Sequence, residues 1–151
     1  MRIRRWINVM SAILLLNIVL VASCRQTATQ TVAVPVPTIT ASDANNLIAQ
    51  NIGNQNFVIL DVRPADDYTS RHIPGAIDIS YESAQFKTDV TKLNRNKQYL
   101  VYCQTGVNSA TAAQIMAGLG IKDVQNISGG YAAWVQAGYM TCGCPGTIIS
   151  Q

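Results

Sequence analysis

Cysteine offers this chain its most distinctive chemistry, and it occurs at positions 24, 103, 142 and 144. Cys103 closes an apolar run, Tyr99-Leu100-Val101-Tyr102, and opens a small polar loop, Gln104-Thr105-Gly106-Val107-Asn108-Ser109. If the run is a strand and a helix starts near Asn108 or Ser109, the N–H groups of the loop and of the first helical turn converge on one point. A ring of donors of that kind holds an anion. The same ring favours a thiolate at Cys103, which lowers the pKa and raises the reactive fraction near neutral pH. Gly106 allows a positive φ or a close approach to a ligand, and Thr105 and Ser109 add hydroxyl donors. The competing reading is a buried thiol serving as a small core hydrophobe. Position alone leaves the two level.

Other reactive types are scarce. His72 is the sole histidine, and the carboxylates are scattered, so no metal-ligand set is expected. The tail carries Cys142 and Cys144 on either side of Gly143. Asp61 stands where an apolar run ends and is expected to hydrogen-bond backbone there.

The elements that must position Cys103 follow from the apolar pattern. Thr38-Ile39-Thr40 reads as a short strand. The next helix is capped by Ser42 or Asp43 and has Ala44, Leu47 and Ile48 on its apolar side. Phe57 to Leu60 is continuously apolar, as expected of a strand covered on both faces. Ala65 to Ser70 suits one or two helical turns. Ala76 to Ile79 reads as a strand, Glu82 to Leu93 as a helix and Tyr99 to Tyr102 as a second buried strand. Asn108 to Leu119 has helical spacing, with Ala112, Ile115, Met116 and Leu119 on one side. Val124 to Ile127 is the last strand, and Gly129-Gly130 leads into a helix with Tyr131, Trp134 and Val135, the two aromatics facing the core. Strands alternating with helices predict an α/β domain with a parallel sheet. Ligands in such sheets lie beyond the carboxyl ends of the strands, where Cys103 falls.

The amino terminus has another purpose. Arg2, Arg4 and Arg5 precede a mostly apolar stretch, Ile7 to Val21, followed by Ala22, Ser23 and Cys24. That order describes a secretory signal, and the apolar stretch is short of the roughly 20 residues a membrane span needs. Val21-Ala22-Ser23-Cys24 resembles a bacterial lipobox, which implies cleavage before Cys24, its lipidation, and a membrane-anchored lipoprotein in the cell envelope. The expected organisation is a signal over 1–23, a flexible tether over 24–37, one domain over 38–140 and a cysteine-containing tail over 141–151. The whole chain has 11 basic and 8 acidic residues. Cleavage removes three of the basic residues and none of the acidic ones, which balances the two. The basic pI of 8.8 is then a targeting signature and gives no argument for nucleic acid.

Four stretches of the domain resemble the rhodanese family of sulfurtransferases: Val58 to Ser80, Tyr99 to Ala110, Gly118 to Gly130 and Tyr131 to Tyr139. The first holds the Asp61-x-Arg63 pattern and the block His72-Ile73-Pro74-Gly75-Ala76; the second holds the cysteine loop. The resemblance implies a three-layer α/β/α fold with a mostly parallel five-stranded sheet, and Cys103 as the carrier of sulfur in a persulfide. It also implies a small sulfur-containing anion or a persulfide as donor, a thiol or other nucleophile as acceptor, and no cofactor. His72 is then part of a structural turn.

Similar phosphatases and arsenate reductases place Arg after Cys and five further residues; Ser109 occupies that place here. The loop is the shorter, sulfur-handling form closing at Asn108. It departs from the family in having Asn108 where Arg is frequent and Gln104 where a basic residue is frequent. A charge-assisted hydrogen bond contributes roughly 1.5–3 kcal/mol, so each missing cation weakens an anionic donor's binding by about ten- to a hundredfold. Arg63 and Arg71 are candidates to compensate. A binding or sensor module with little turnover is the alternative that this departure supports. With Cys24 lipidated, Cys142 and Cys144 are expected to pair, to resolve a Cys103 persulfide by thiol exchange, to bind a soft metal, or to be idle.

Overall fold

The computed structural model describes residues 35–143, together with the backbone of 147–148. The expected signal, Cys24, most of the tether and Cys144 lie outside these residues. In chain order the elements are β1 (Thr38–Ile39), α1 (Ala41–Gln50), β2 (Phe57–Asp61), α2 (Ala65–Ser70), β3 (Ala76–Asp78) and α3 (Phe86–Thr91). There follow β4 (Gln98–Tyr102), α4 (Val107–Gly118), β5 (Asp123–Ile127), α5 (Gly130–Gln136), β6 (Cys142–Gly143) and β7 (Thr147–Ile148). Five strands form one sheet in the order β1-β5-β4-β2-β3, and every pairing in it is parallel. Cys103 follows the central strand, β4.

The continuous apolar runs are explained by cover on both faces. Side chains alternate along a strand, and β4 sends Tyr99 and Val101 to one face and Leu100 and Tyr102 to the other. The first face packs Phe86 and Val90 of α3 and Ala112, Ala113 and Met116 of α4. The second packs Ala41 and Ala44 of α1 and Tyr131 and Trp134 of α5. Each wholly buried Leu, Ile or Val side chain in these layers contributes roughly 1.5–3 kcal/mol.

Three local expectations change. The cap of α1 is Thr40, whose Oγ1 accepts from the Asp43 N–H at 3.1 Å and donates to Asp43 Oδ2 at 2.7 Å. Ser42 and Asp43 lie inside the helix, because Thr40 already has the extended backbone a cap requires. The helix expected over Glu82 to Leu93 is confined to Phe86–Thr91, since turns at Ser83 and Phe86 hold the preceding residues. The described part of the tail packs on the domain. Cys142 N–H donates to the His72 carbonyl at 3.0 Å and His72 N–H donates to the Cys142 carbonyl at 2.8 Å, just ahead of the edge strand β3.

Candidate active site

The loop after β4 turns sharply at Gly106, whose φ is +88°. A Cβ at that position would stand 2.8 Å from the Ile127 carbonyl oxygen, so the turn requires glycine on two grounds. The turn orients the peptides of the loop in opposite senses on its two sides. Its carbonyls face α5: the Cys103 oxygen accepts from Tyr131 N–H at 2.8 Å, and the Gln104 oxygen from Ala132 N–H at 3.0 Å. Its N–H groups face inward, toward the sulfur. Gly130 has φ +56°, and a Cβ there would overlap the Cys103 carbonyl, so the second glycine of the Gly129-Gly130 turn makes room for the loop.

Cys103 Sγ accepts from Gly106 N–H at 3.2 Å and from the Ser109 hydroxyl at 3.3 Å. The residue is 5% exposed. Burial pushes its thiol up, but the Ser109 hydroxyl and the N–H groups of Ser109, Thr105 and Gly106 together outweigh that, and the thiol is held below its ordinary value. Both readings of Cys103 therefore hold in part: the thiol is buried, and donors stabilise its charged form.

Ser109 in the first turn of α4 is wholly buried, and its hydroxyl also lies 2.7 Å from Asn126 Oδ1. Asn126, 3% exposed on β5, donates through Nδ2 to the Gly106 carbonyl at 3.2 Å. The sequence places this residue in the last strand but gives it no role at the site. The available signal was a polar amide inside an otherwise apolar last strand, since buried amides are retained where they have partners.

The remaining candidates separate clearly. Gln104 and Thr105 are exposed on the loop, and Val107 and Asn108 are exposed on the first turn of α4, which starts one residue ahead of the expected Asn108. Arg63 is 4% exposed and reaches the loop's edge, with Nη1 3.5 Å from Gln104 Oε1. Most of its guanidinium is used elsewhere. Nε lies 3.1 Å from both Asp61 carboxylate oxygens, and Nη2 donates to Asp61 Oδ2 at 2.8 Å and to the Arg71 carbonyl at 2.6 Å. The group stacks 4.0 Å from the centre of the Tyr131 ring. Burial disfavours its charge, yet the Asp61 carboxylate outweighs that and holds the pKa above its ordinary value. Asp61 also accepts from the Arg63 N–H, which is the backbone bond expected of it. Arg71 reaches this network only through its carbonyl oxygen, and its side chain is exposed.

Cys142 is apart from this network. It is 8% exposed, a free thiol like Cys103, and its Sγ lies 3.8 Å from the His72 carbonyl. Burial raises its pKa. His72 is buried against the Tyr68 ring at 4.0 Å, with Nδ1 2.8 Å from the Tyr68 carbonyl, so it forms part of the turn before β3.

Comparison with known proteins adds the following. Residues 44–137 match the family model described as Rhodanese-like domain. A thiosulfate sulfurtransferase GlpE of Coxiella burnetii is 34% identical over 83 residues, which cover 55% of this chain and 76% of that protein. The crystal structure of a rhodanese-related protein from Thermoplasma volcanium superposes with a TM-score of 0.58 at 28% identity, covering 70% of this chain and 97% of the other. A rhodanese-like domain protein from Staphylococcus aureus gives 0.57 at 27% identity, covering 76% and 100%.

Proposed function

The chain belongs to the rhodanese-like domain family, and from that premise we propose that it is a sulfurtransferase carrying sulfane sulfur as a persulfide on Cys103. One observation carries the reading: a buried sulfur at the end of the central strand that meets Gly106 N–H and the Ser109 hydroxyl, and whose thiol they help to acidify. In the first half-reaction the Cys103 thiolate attacks the outer sulfur of a donor X–S⁻. A new S–S bond forms, the S–X bond breaks, and its electron pair leaves with X, as sulfite from thiosulfate, as a thiolate from a persulfide or as the next shorter polysulfide from a polysulfide. In the second, an acceptor thiolate or other nucleophile takes the outer sulfur and Cys103 leaves as thiolate. Electrons balance between donor and acceptor, and no cofactor enters. The inward N–H groups of the loop stabilise the persulfide and the departing anion.

The site has little net positive charge to offer a free anion. Asn108 and Gln104 are neutral, and the Arg63 charge is paired with Asp61. That supports a persulfide donor over thiosulfate, and it is the observation that favours the second reading, a binding or sensor module of the same shape. Mass spectrometry of the protein exposed in turn to thiosulfate, polysulfide and a small-molecule persulfide separates them. The enzyme gains one sulfur atom on Cys103 and loses it to added thiol, with Cys103→Ala inert; no adduct from any donor leaves the module.

We further propose that the protein acts in the bacterial envelope, lipid-anchored through Cys24 after cleavage of residues 1–23, with 24–37 as tether ahead of the domain. The support is the basic, apolar and small-residue order of the amino terminus. Metabolic labelling with a fatty acid tests it, and retention of label by Cys24→Ala would defeat it.

A further inference from the structure

Asn126 makes no hydrogen bond to Cys103, yet it bonds both residues that do so directly, Gly106 and Ser109. The Gly106 carbonyl has no hydrogen to give, so the amide must turn Nδ2 toward it, and this leaves Oδ1 facing Ser109. The Ser109 hydroxyl has one hydrogen and two acceptors within reach, Cys103 Sγ at 3.3 Å and Asn126 Oδ1 at 2.7 Å. It cannot serve both at once. When Cys103 is a thiolate, the charge draws the hydrogen to Sγ. When Cys103 is a thiol, its S–H can donate to Ser109 Oγ, and the hydroxyl hydrogen goes to Asn126. When Cys103 is a persulfide, the negative charge lies on the outer sulfur, Sγ is a weak acceptor, and the hydrogen again goes to Asn126.

We propose that Asn126 is a positioning residue for sulfur transfer, acting through Ser109 as the alternative acceptor that takes the hydroxyl hydrogen whenever Cys103 Sγ carries no charge. Asn126 therefore favours the resting thiol and the loaded persulfide over the bare thiolate, and keeps Ser109 paired at every stage of the cycle. The loop does not depend on Asn126 for its shape, because the Gly106 carbonyl also accepts from Ala110 N–H at 3.2 Å and the glycine turn is fixed sterically. The charged and titratable groups packed beside the loop, Asp61, Arg63, Tyr102 and Tyr131, form a separate network that meets it at Gln104.

The inference deepens the persulfide reading, and its test is independent of sulfur loading. Tryptic peptide 98–122 contains Cys103 and no other cysteine, so the pH profile of iodoacetamide alkylation can be followed on Cys103 alone in the full chain. Asn126→Leu keeps the branched shape and the number of heavy atoms and excludes a substitute water; Asn126→Ala serves if the first variant does not fold. With the competing acceptor removed, the Cys103 inflection falls by about half to one pH unit, the effect of one hydrogen bond of ordinary strength. Ser109→Ala moves it the other way, and in that background Asn126→Leu adds nothing. An inflection that rises or stays in place in the single variant, or that shifts equally in the Ser109→Ala background, overturns the proposal. A scaffold role alone would open the loop, lose donors and raise the inflection.

Discussion

Cys103 and Cys142 are both buried thiols at the ends of strands or strand-like turns, and the fold treats them oppositely. Cys103 Sγ meets donors: a backbone N–H and a hydroxyl. The Cys142 thiol approaches an acceptor, the His72 carbonyl, and the N–H groups of Gly75 and of Cys142 itself offset its burial only in part. Burial alone raises a thiol pKa, and at Cys142 that direction stands, whereas at Cys103 the donors reverse it. The balance between burial and the donors around a sulfur, more than its depth alone, therefore sets the direction of its pKa. The groups that meet the sulfur carry no charge of their own, so the site is built from dipoles.

The largest consequence is an asymmetry of function. Cys103→Ala is expected to abolish sulfur loading and transfer, while Cys142→Ser leaves the transfer rate within about twofold, since the Cys142 thiol meets the His72 carbonyl and shares no hydrogen-bond partner with Cys103. Single-turnover sulfur transfer to a small thiol measures both. Equal losses in the two variants would break the comparison and restore the resolving role for the tail.

The next tests whether dipoles alone limit the choice of donor. Asn108→Arg adds a cation at an exposed position in the first turn of α4, beside the cysteine loop. Efficiency with thiosulfate is expected to rise by about ten- to a hundredfold, the value of one charge-assisted hydrogen bond. The gain should shrink as salt is added, because an exposed charge is screened. An unchanged kcat/KM for thiosulfate would mean that Arg63, despite its pairing with Asp61, already supplies the field. Ser109→Ala is smaller. Removing a donor from Sγ raises the Cys103 inflection by about half to one unit and leaves three- to tenfold less thiolate below it. Alkylation of peptide 98–122 across pH reads this directly, and an unmoved inflection would assign the acidity to the backbone alone.

These side chains were unequally visible in the sequence. The parallel α/β fold was legible because it is written in runs: Phe57 to Leu60 and Tyr99 to Tyr102 are continuously apolar and of strand length, as strands covered on both faces are. Cys103 and Gly106 were legible because the strand ends where a small loop begins, and a tight turn there calls for glycine. Asn126 was not, since its role depends on a contact between β5 and the start of α4, 17 residues apart in the chain. Sequence periodicity carries which face a residue occupies, not which polar atom it meets. The same limit applies to Arg63, whose candidacy was visible but whose pairing with Asp61 needed the closing of a turn, and to Cys142, which reads as tail until its two hydrogen bonds to His72 fix it to the domain.

The smallest effect bears on stability and gives the two cysteines opposite signs. The folded Cys142 thiol is raised above its unfolded value. Its contribution is therefore complete below the ordinary thiol value and is lost as pH rises through the folded one. Cys103 is depressed, so its contribution is present above the ordinary value and is lost as pH falls through the folded one. Over about pH 7 to 10, where an unfolded thiol titrates, Cys142→Ser should flatten the alkaline fall in Tm and Cys103→Ser should steepen it. Each change is expected to be roughly 1–2 °C, as a fraction of a kcal/mol gives in a domain of about 100 residues. Tyrosine ionisation also destabilises at the upper end of that range, but it is common to all the chains, so the difference between variant and parent isolates the thiol. Changes of the same sign in both variants would show that burial, which the two cysteines share, governs their ionisation, and that the donors around Cys103 do not.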